Sequence, residues 1–327
     1  MPKPPYRDAP IARLSDADLA PVDDAVHIWP GHHVEVGGTR IHIRTTPTDN
    51  PDAEPALFVH GLGGSAHNWT DLAGVLRHRF AIDAIDLPGH GRSGPAPRND
   101  YSLDAHAEVV IGYLEQSGRG PVHLGANSLG GAVSVRVAAR RPDLVRTLTL
   151  ISPAVPDNRI RAFPLRNDPR TAVLGIPGLG ELALRYMNSK YAPEQRVAGT
   201  IALCFADRTR YPQARRREAV EETRARLTMP WADTAFLRSM RGLAVAQFLK
   251  ARVGWATLRK IEAPTLVIWG DTDRLVAPDL APYVAAAIPD SRLLVLENVG
   301  HTAMMEVPET TARAMVALTE DAARIRF

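Results

Sequence analysis

The chain has 327 residues, with 39 basic and 36 acidic side chains and a formal net charge of +3. That length is ample for a buried core in one large domain or two, and 45% apolar with 23% charged residues is ordinary for a soluble globular protein. The net charge is small although the pI is near 9.2, and no apolar run approaches the ~18 residues of a membrane span.

Residues 1–30 are rich in proline and aspartate, read as an extension on the surface, and lack the apolar core of a signal peptide. One cysteine, Cys204, rules out an internal disulfide and suits a reducing cytoplasm. Its apolar neighbours predict a packed thiol.

The apolar run Leu57 to His60 predicts a strand, followed by Gly61-Leu-Gly-Gly-Ser-Ala66. These glycines fit Gly-x-Gly-x-x-Ala, and Asp83 lies 20 residues past Gly63, the outline of a dinucleotide fingerprint. His60 breaks the apolar strand that such a site requires, and it is read as structural. No His/Cys spacing suggests a metal site. Neither cofactor nor metal is expected.

Ala81 to Ile85 predicts a strand, and Asp86-Leu-Pro-Gly-His-Gly-Arg-Ser93 a tight turn serving as scaffold, with Arg92 paired to a nearby acid. Val122 to Leu124 predicts a short buried strand, and Leu129 to Arg141 a helix ending at Pro142. Ser128 stands between them, with the small residues Ala126 and Gly130 two positions to either side. A serine at a sharp strand-to-helix turn is held strained with its hydroxyl exposed, and small neighbours are needed where the backbones cross. The other reading is a helix N-cap.

After a strand at Leu148 to Ser152, residues 154–262 change character. Leu179 to Met187, Pro193 to Ala206, Gln213 to Leu227 and Ala232 to Val253 read as helices with apolar stripes. Arg159, Arg161 and Arg166 near the start of this insert are read as surface residues, with a grip on a substrate carboxylate as the alternative. Arg215-Arg-Arg217, followed by Glu218, Glu221 and Glu222, reads as a solvated, salt-bridged face and not as a nucleic-acid patch.

Thr265 to Trp269 and Leu293 to Leu296 read as strands. Gly270-Asp-Thr-Asp273 follows the first, and Glu-Asn-Val-Gly-His301 the second. Both candidates thus lie just beyond strand C-termini, where open parallel α/β sheets place their sites. A serine hydroxyl needs a base to take its proton and an acid to orient that base. The chain offers them in the order Ser, Asp, His.

Four motifs together resemble the α/β-hydrolase superfamily: His60-Gly-Leu-Gly-Gly-Ser65, Asp86 to Ser93, Ala126-Asn-Ser-Leu-Gly-Gly131, and Gly270 to Asp273 with Gly300-His301. The resemblance covers about residues 33–153 and 263–320. It implies an α/β-hydrolase fold, a mostly parallel central sheet with helices on both faces and an inserted helical cap. The corresponding divisions are an extension at 1–30, a core at 31–153 plus 263–327, and a cap at 154–262. It implies Ser128 as nucleophile, His301 as base and Asp273 as acid, with Asp271 as the alternative acid. The oxyanion donors would be the backbone N–H groups of Leu129 and Leu62.

The activity so implied is cleavage of a carboxylic ester, or a related acyl bond, of a small to medium apolar substrate through an acyl-enzyme. Asn127 to Gly131 and Asn68-Trp69 also look like the C–C bond hydrolases of aromatic ring-fission products. Members of that group often carry an aromatic residue after the catalytic histidine, where Thr302 stands here. Perhydrolase or acyltransferase chemistry uses the same triad, and a ligand-binding sensor is the non-enzymatic alternative. Epoxide hydrolases and haloalkane dehalogenases need aspartate at the position of Ser128. The substrate-binding residues and the oligomeric state stay open.

Overall fold

Parallel strands covered on both faces need nearly unbroken apolar sequence, and the chain supplies it repeatedly. The structure, a computed structural model, describes residues 9–23, 28–157 and 173–324. Its strands are β1 (Gly31–Val36), β2 (Thr39–Thr46), β3 (Glu54–Val59), β4 (Phe80–Ile85), β5 (Val122–Asn127), β6 (Val145–Ile151), β7 (Thr265–Gly270) and β8 (Ser291–Leu296). They form one sheet in the order β1-β2-β4-β3-β5-β6-β7-β8. β2 runs antiparallel to both neighbours, and every other pairing is parallel. This is the mostly parallel sheet of an α/β-hydrolase fold.

Helices cover both faces. On one side α1 (Thr70–Leu76) and α11 (Pro308–Arg324), which follows the short α10 (Ala303–Glu306), pack Leu72, Leu76, Met315 and Leu318 against Phe58, Ile82 and Ile268 of the sheet. On the other, α2 (Leu103–Ser117), α3 (Leu129–Arg140) and α9 (Ala281–Ala287) bury Val110, Val133 and Val284 with Leu57, Leu124 and Val267. Between β6 and β7 come α4 (Leu179–Lys190), α5 (Pro193–Cys204), α6 (Gln213–Leu227), α7 (Ala232–Phe248) and α8 (Ala251–Leu258). No helix among the described residues is long and apolar enough to cross a membrane.

Three local expectations need correction. The stretch from Ala232 to Val253 is two helices: the chain leaves helical geometry at Lys250 (φ −114°, ψ 25°). The bend lays α8 onto Pro156, so closely that a Cβ on Gly254 would stand 2.6 Å from the proline ring. Arg215 is buried, not solvated, because its guanidinium bridges α6 to Asp71 of α1 (2.8 Å) while also holding Glu218 (2.8 Å); Arg216 and Arg217 are exposed. Arg92 engages an acid through its backbone, whose N–H donates to Asp86 at 2.9 Å, while its side chain is exposed.

The stretch just after residue 8 is strapped down. Pro10 and Ala12 bond the backbone of Leu293 (2.9 and 2.8 Å), and Arg13 and Ser15 reach Glu320 of α11 (both 2.7 Å). This strap occupies the open edge of β8, where unpaired backbone groups would otherwise invite another strand.

Candidate active site

The turn between β5 and α3 is strained. Ser128 has φ 53° and ψ −116°, a conformation costing a non-glycine residue about 1–3 kcal/mol. Three backbone bonds hold it there: Ser128 N–H donates to Ile151 (3.1 Å), and its carbonyl accepts from Ala132 (3.1 Å) and Ala154 (2.9 Å). Its side chain makes no capping bond to the helix, so the N-cap reading has no support in the geometry. The crowding falls on Gly130, where a Cβ would stand 2.4 Å from the Val59 carbonyl oxygen.

Asp273 and His301 meet at the strand ends. His301 Nδ1 lies 2.8 Å from Asp273 Oδ2, and Asp273 Oδ1 accepts the N–H groups of Leu275 (2.8 Å) and Val276 (3.0 Å). A carboxylate only accepts, so Nδ1 carries the proton and Nε2 is left as the acceptor. Both side chains are buried. Asp271 faces away and accepts the backbone N–H of Asn298 at 2.9 Å, as a turn residue does.

Asn127 draws these pieces together, since its Nδ2 donates both to Ile151 (3.0 Å) and to the His301 carbonyl (3.0 Å). The loop after β3 approaches from the other side. A Cβ on Gly61 would stand 3.1 Å from Ser128 Cβ, and the next residue is Leu62. Leu129 opens α3, where a helix leaves its amides unused. Neither the Leu62 nor the Leu129 amide donates to another protein group among the described residues. Above Leu62 lies an apolar wall of Leu184, Leu237 and Met240, flanked by Leu174 and Phe236.

Several motif residues prove to be framework. His60 donates from Nδ1 to Gly61 (2.7 Å) and accepts the Leu87 N–H at Nε2 (3.0 Å), and burial pushes its pKa down, so it stays neutral. Asp86 accepts from Ala66 (2.6 Å) and Arg92 and lies 2.7 Å from His42 Nδ1, tying the loops after β3 and β4 to strand β2. Asp83, the acid of the nucleotide outline, is taken up by Thr45 (2.7 Å), Tyr113 (2.6 Å) and Arg119. Desolvation, with Asp273 and Glu306 nearby, pushes the Cys204 thiol up to about 12, so it is not a nucleophile. Arg159, Arg161 and Arg166 lie outside the described residues. Among the described residues no three metal-ligating side chains cluster.

Glu306-Val-Pro308 fits the resemblance as the tail after the histidine, but the motif itself gives Glu306 no partner. Its buried carboxylate accepts the N–H groups of Gly300 (2.8 Å), Asp207 (3.0 Å) and Ala206 (3.2 Å), clamping the His301 loop to the chain leaving α5. Cys204 adds to the clamp, its carbonyl accepting the His301 N–H at 2.7 Å. An acid five residues after a candidate histidine, closing a short helix that is otherwise apolar, was the available signal.

A strained serine at a strand-to-helix elbow, facing the strand ends where a buried His–Asp pair lies, is the architecture of an α/β hydrolase. The sequence matches the alpha/beta hydrolase fold family over residues 55–308, and the chain belongs to that family. It is 28% identical over 271 residues to Lipase 3 of a Moraxella strain, covering 81% of this chain and 76% of that one. It is 30% identical over 289 residues to the dihydrolipoyllysine-residue acetyltransferase component of the acetoin cleaving system of Pseudomonas putida, covering 86% and 67%. Among solved structures it is similar to a membrane phospholipase A described as a bacterial virulence factor, with 26% identity, a TM-score of 0.72, and coverage of 90% of this chain and 86% of that one.

Proposed function

We propose that the protein is a serine hydrolase of carboxylic esters. Ser128 attacks the carbonyl, His301 takes its proton and returns it to the leaving alcohol, and Asp273 orients the imidazole and stabilises its charged form. The Leu62 and Leu129 amides receive the developing oxyanion, and water then clears the acyl-enzyme. The observation that carries this reading is the Asp273–His301 pair, bonded through Asn127 to the strained residue beside it. Similarity to a lipase supports ester chemistry, and residues 154–262 serve as a cap whose apolar wall receives the acyl chain.

A fluorophosphonate probe tests the nucleophile: intact-mass analysis should show one adduct, absent from Ser128→Ala. Turnover of a short p-nitrophenyl ester, measured beside a ring-fission dienone acid, tests the bond cleaved. Preference for the dienone would replace the esterase with a C–C bond hydrolase. Labelling that survives Ser128→Ala would overturn the mechanism.

A further inference from the structure

Three guanidinium groups in the inserted helices have counterions. Arg215 holds Asp71 and Glu218, Arg224 holds Glu194, and Arg241 holds Glu181. The others with no carboxylate in ion-pair distance among the described residues are exposed, except Arg196 on α5 and Arg226 near the end of α6, which are half-buried where the Arg224–Glu194 pair brings those two helices together. Nη1 of Arg196 is buried with no hydrogen-bond partner at all. Arg226 donates from Nη1 to the carbonyl of Gly63 (2.9 Å) and lies 5.7 Å from the centre of the Phe236 ring. Burial, and then repulsion from Arg196, lower the pKa of Arg226; Asp233 and Glu222 attract it more weakly. Asp233 is itself engaged by Asn188 at 2.9 and 3.0 Å. Two half-buried cations that repel one another, and that share Asp233 only from beyond ion-pair distance, are costly for a folded chain. An anion between them would remove that cost.

We propose that Arg196 and Arg226 form an anion subsite beside the oxyanion loop, selecting acyl substrates that carry a carboxylate or phosphate group. Its place is fixed by Gly63, the neighbour of Leu62, one residue or ~3.8 Å of backbone away. The anionic group therefore belongs a few atoms from the reacting carbonyl, with the apolar wall left for the rest of the molecule. Guanidinium forks match the paired oxygens of either anion. The proposal rests on the esterase reading and narrows it to amphiphilic, anionic esters.

The test compares p-nitrophenyl valerate with the mono-p-nitrophenyl ester of glutaric acid, which have acyl chains of equal length and differ in a terminal carboxylate. The ratio of kcat/KM for the half-ester to that for valerate should fall about 10- to 100-fold in Arg196→Gln and in Arg226→Gln. An unchanged ratio overturns the proposal. So does an equal loss with both esters, which would make Arg226 a mere support for Gly63; Arg196, which makes no bond to that loop, decides the point if Arg226→Gln misfolds. Calorimetry of glutarate and inorganic phosphate with Ser128→Ala protein gives a readout without chemistry and separates the two anions. Binding of either that weakens in the arginine variants supports the subsite even if no ester is turned over, in which case only the esterase reading fails. No binding of either anion overturns the subsite.

Discussion

The side-chain amide of Asn127 donates to the backbone carbonyl of His301 at 3.0 Å, across 174 residues of sequence. The residue before the elbow serine and the loop of the histidine are thereby one mechanical unit. The same amide group also holds Ile151 at the end of β6, so one side chain ties the ends of β5 and β6 to the His301 loop. Groups that react together must be held to within a fraction of an ångström, and under the proposed mechanism this bond would supply that register for Ser128 and His301.

Asp273 and Asp271 should separate cleanly. Asp273→Asn should lose on the order of 10⁴ in kcat, because it meets Nδ1 of His301. Asp271→Asn should stay within about threefold, since it touches only a turn amide. Steady-state hydrolysis of p-nitrophenyl valerate checks both, and the reverse pattern would reassign the acid.

Glu306→Gln should act through position. An amide offers one acceptor oxygen to three converging N–H groups, and each unsatisfied buried donor costs about 1–3 kcal/mol. The expected result is a lower melting temperature with a fall in kcat that exceeds any rise in KM. A shift in KM alone would indicate that Glu306 contributes to binding instead.

Acid should destabilise the fold through its buried histidines. The only side-chain hydrogen bond of His106 on α2, among the described residues, is to Ser239 of α7 (3.0 Å), and desolvation, then repulsion from His60, lower its pKa to about 3. The unfolded chain takes up this proton near pH 6.5, whereas the folded chain refuses it until about 3. Protonation therefore favours unfolding: nothing is lost above 6.5, and the cost grows as pH falls toward 3. At pH 5 it is on the order of 2 kcal/mol for His106 alone. Denaturant melts at pH 7.5 and 5 should show the drop, and His106→Gln should reduce it. An equal drop in the variant would place the acid sensitivity elsewhere.

Acyl length should be read by the wall over Leu62. Each added methylene is worth about 0.8 kcal/mol, or roughly fourfold in kcat/KM, until the space is filled. Leu184→Ala should move the optimum to longer chains. A flat profile from acetyl to decanoyl would show that this wall does not line the acyl pocket.

The frame was legible because its signals are local. β5 and β7 are apolar runs, and Ser128 is bracketed by small residues because Gly130 meets the Val59 carbonyl with no room for a side chain. What escaped depends on partners far along the chain. Arg215 sits in a run of charges like any solvated face, and only the arrival of Asp71 makes its burial tolerable. The break at Lys250 has no proline or glycine to announce it, since the fit of α8 against Pro156 imposes it. Glu306 has no local mark of its three backbone partners.

The helices over the site differ in what anchors them. The chain at the end of α5 is held by Glu306 and bonded to His301, α6 by Asp71 and Gly63, and α7 by His106 and the Asn99 carbonyl. α4 bonds instead to its neighbours in the insert, through Asn188 to Asp233 and Glu181 to Arg241. It also carries exposed Leu179, Leu182, Tyr186 and Met187. Segments with few anchoring bonds open at the lowest free energy. In deuterated water the α4 amides should therefore exchange while α5 stays protected, and each such opening bares Leu62 without disturbing His301. Under the esterase reading, entry to Ser128 would be a local melting of one helix, with the Asp273–His301 pair still assembled while the door is open.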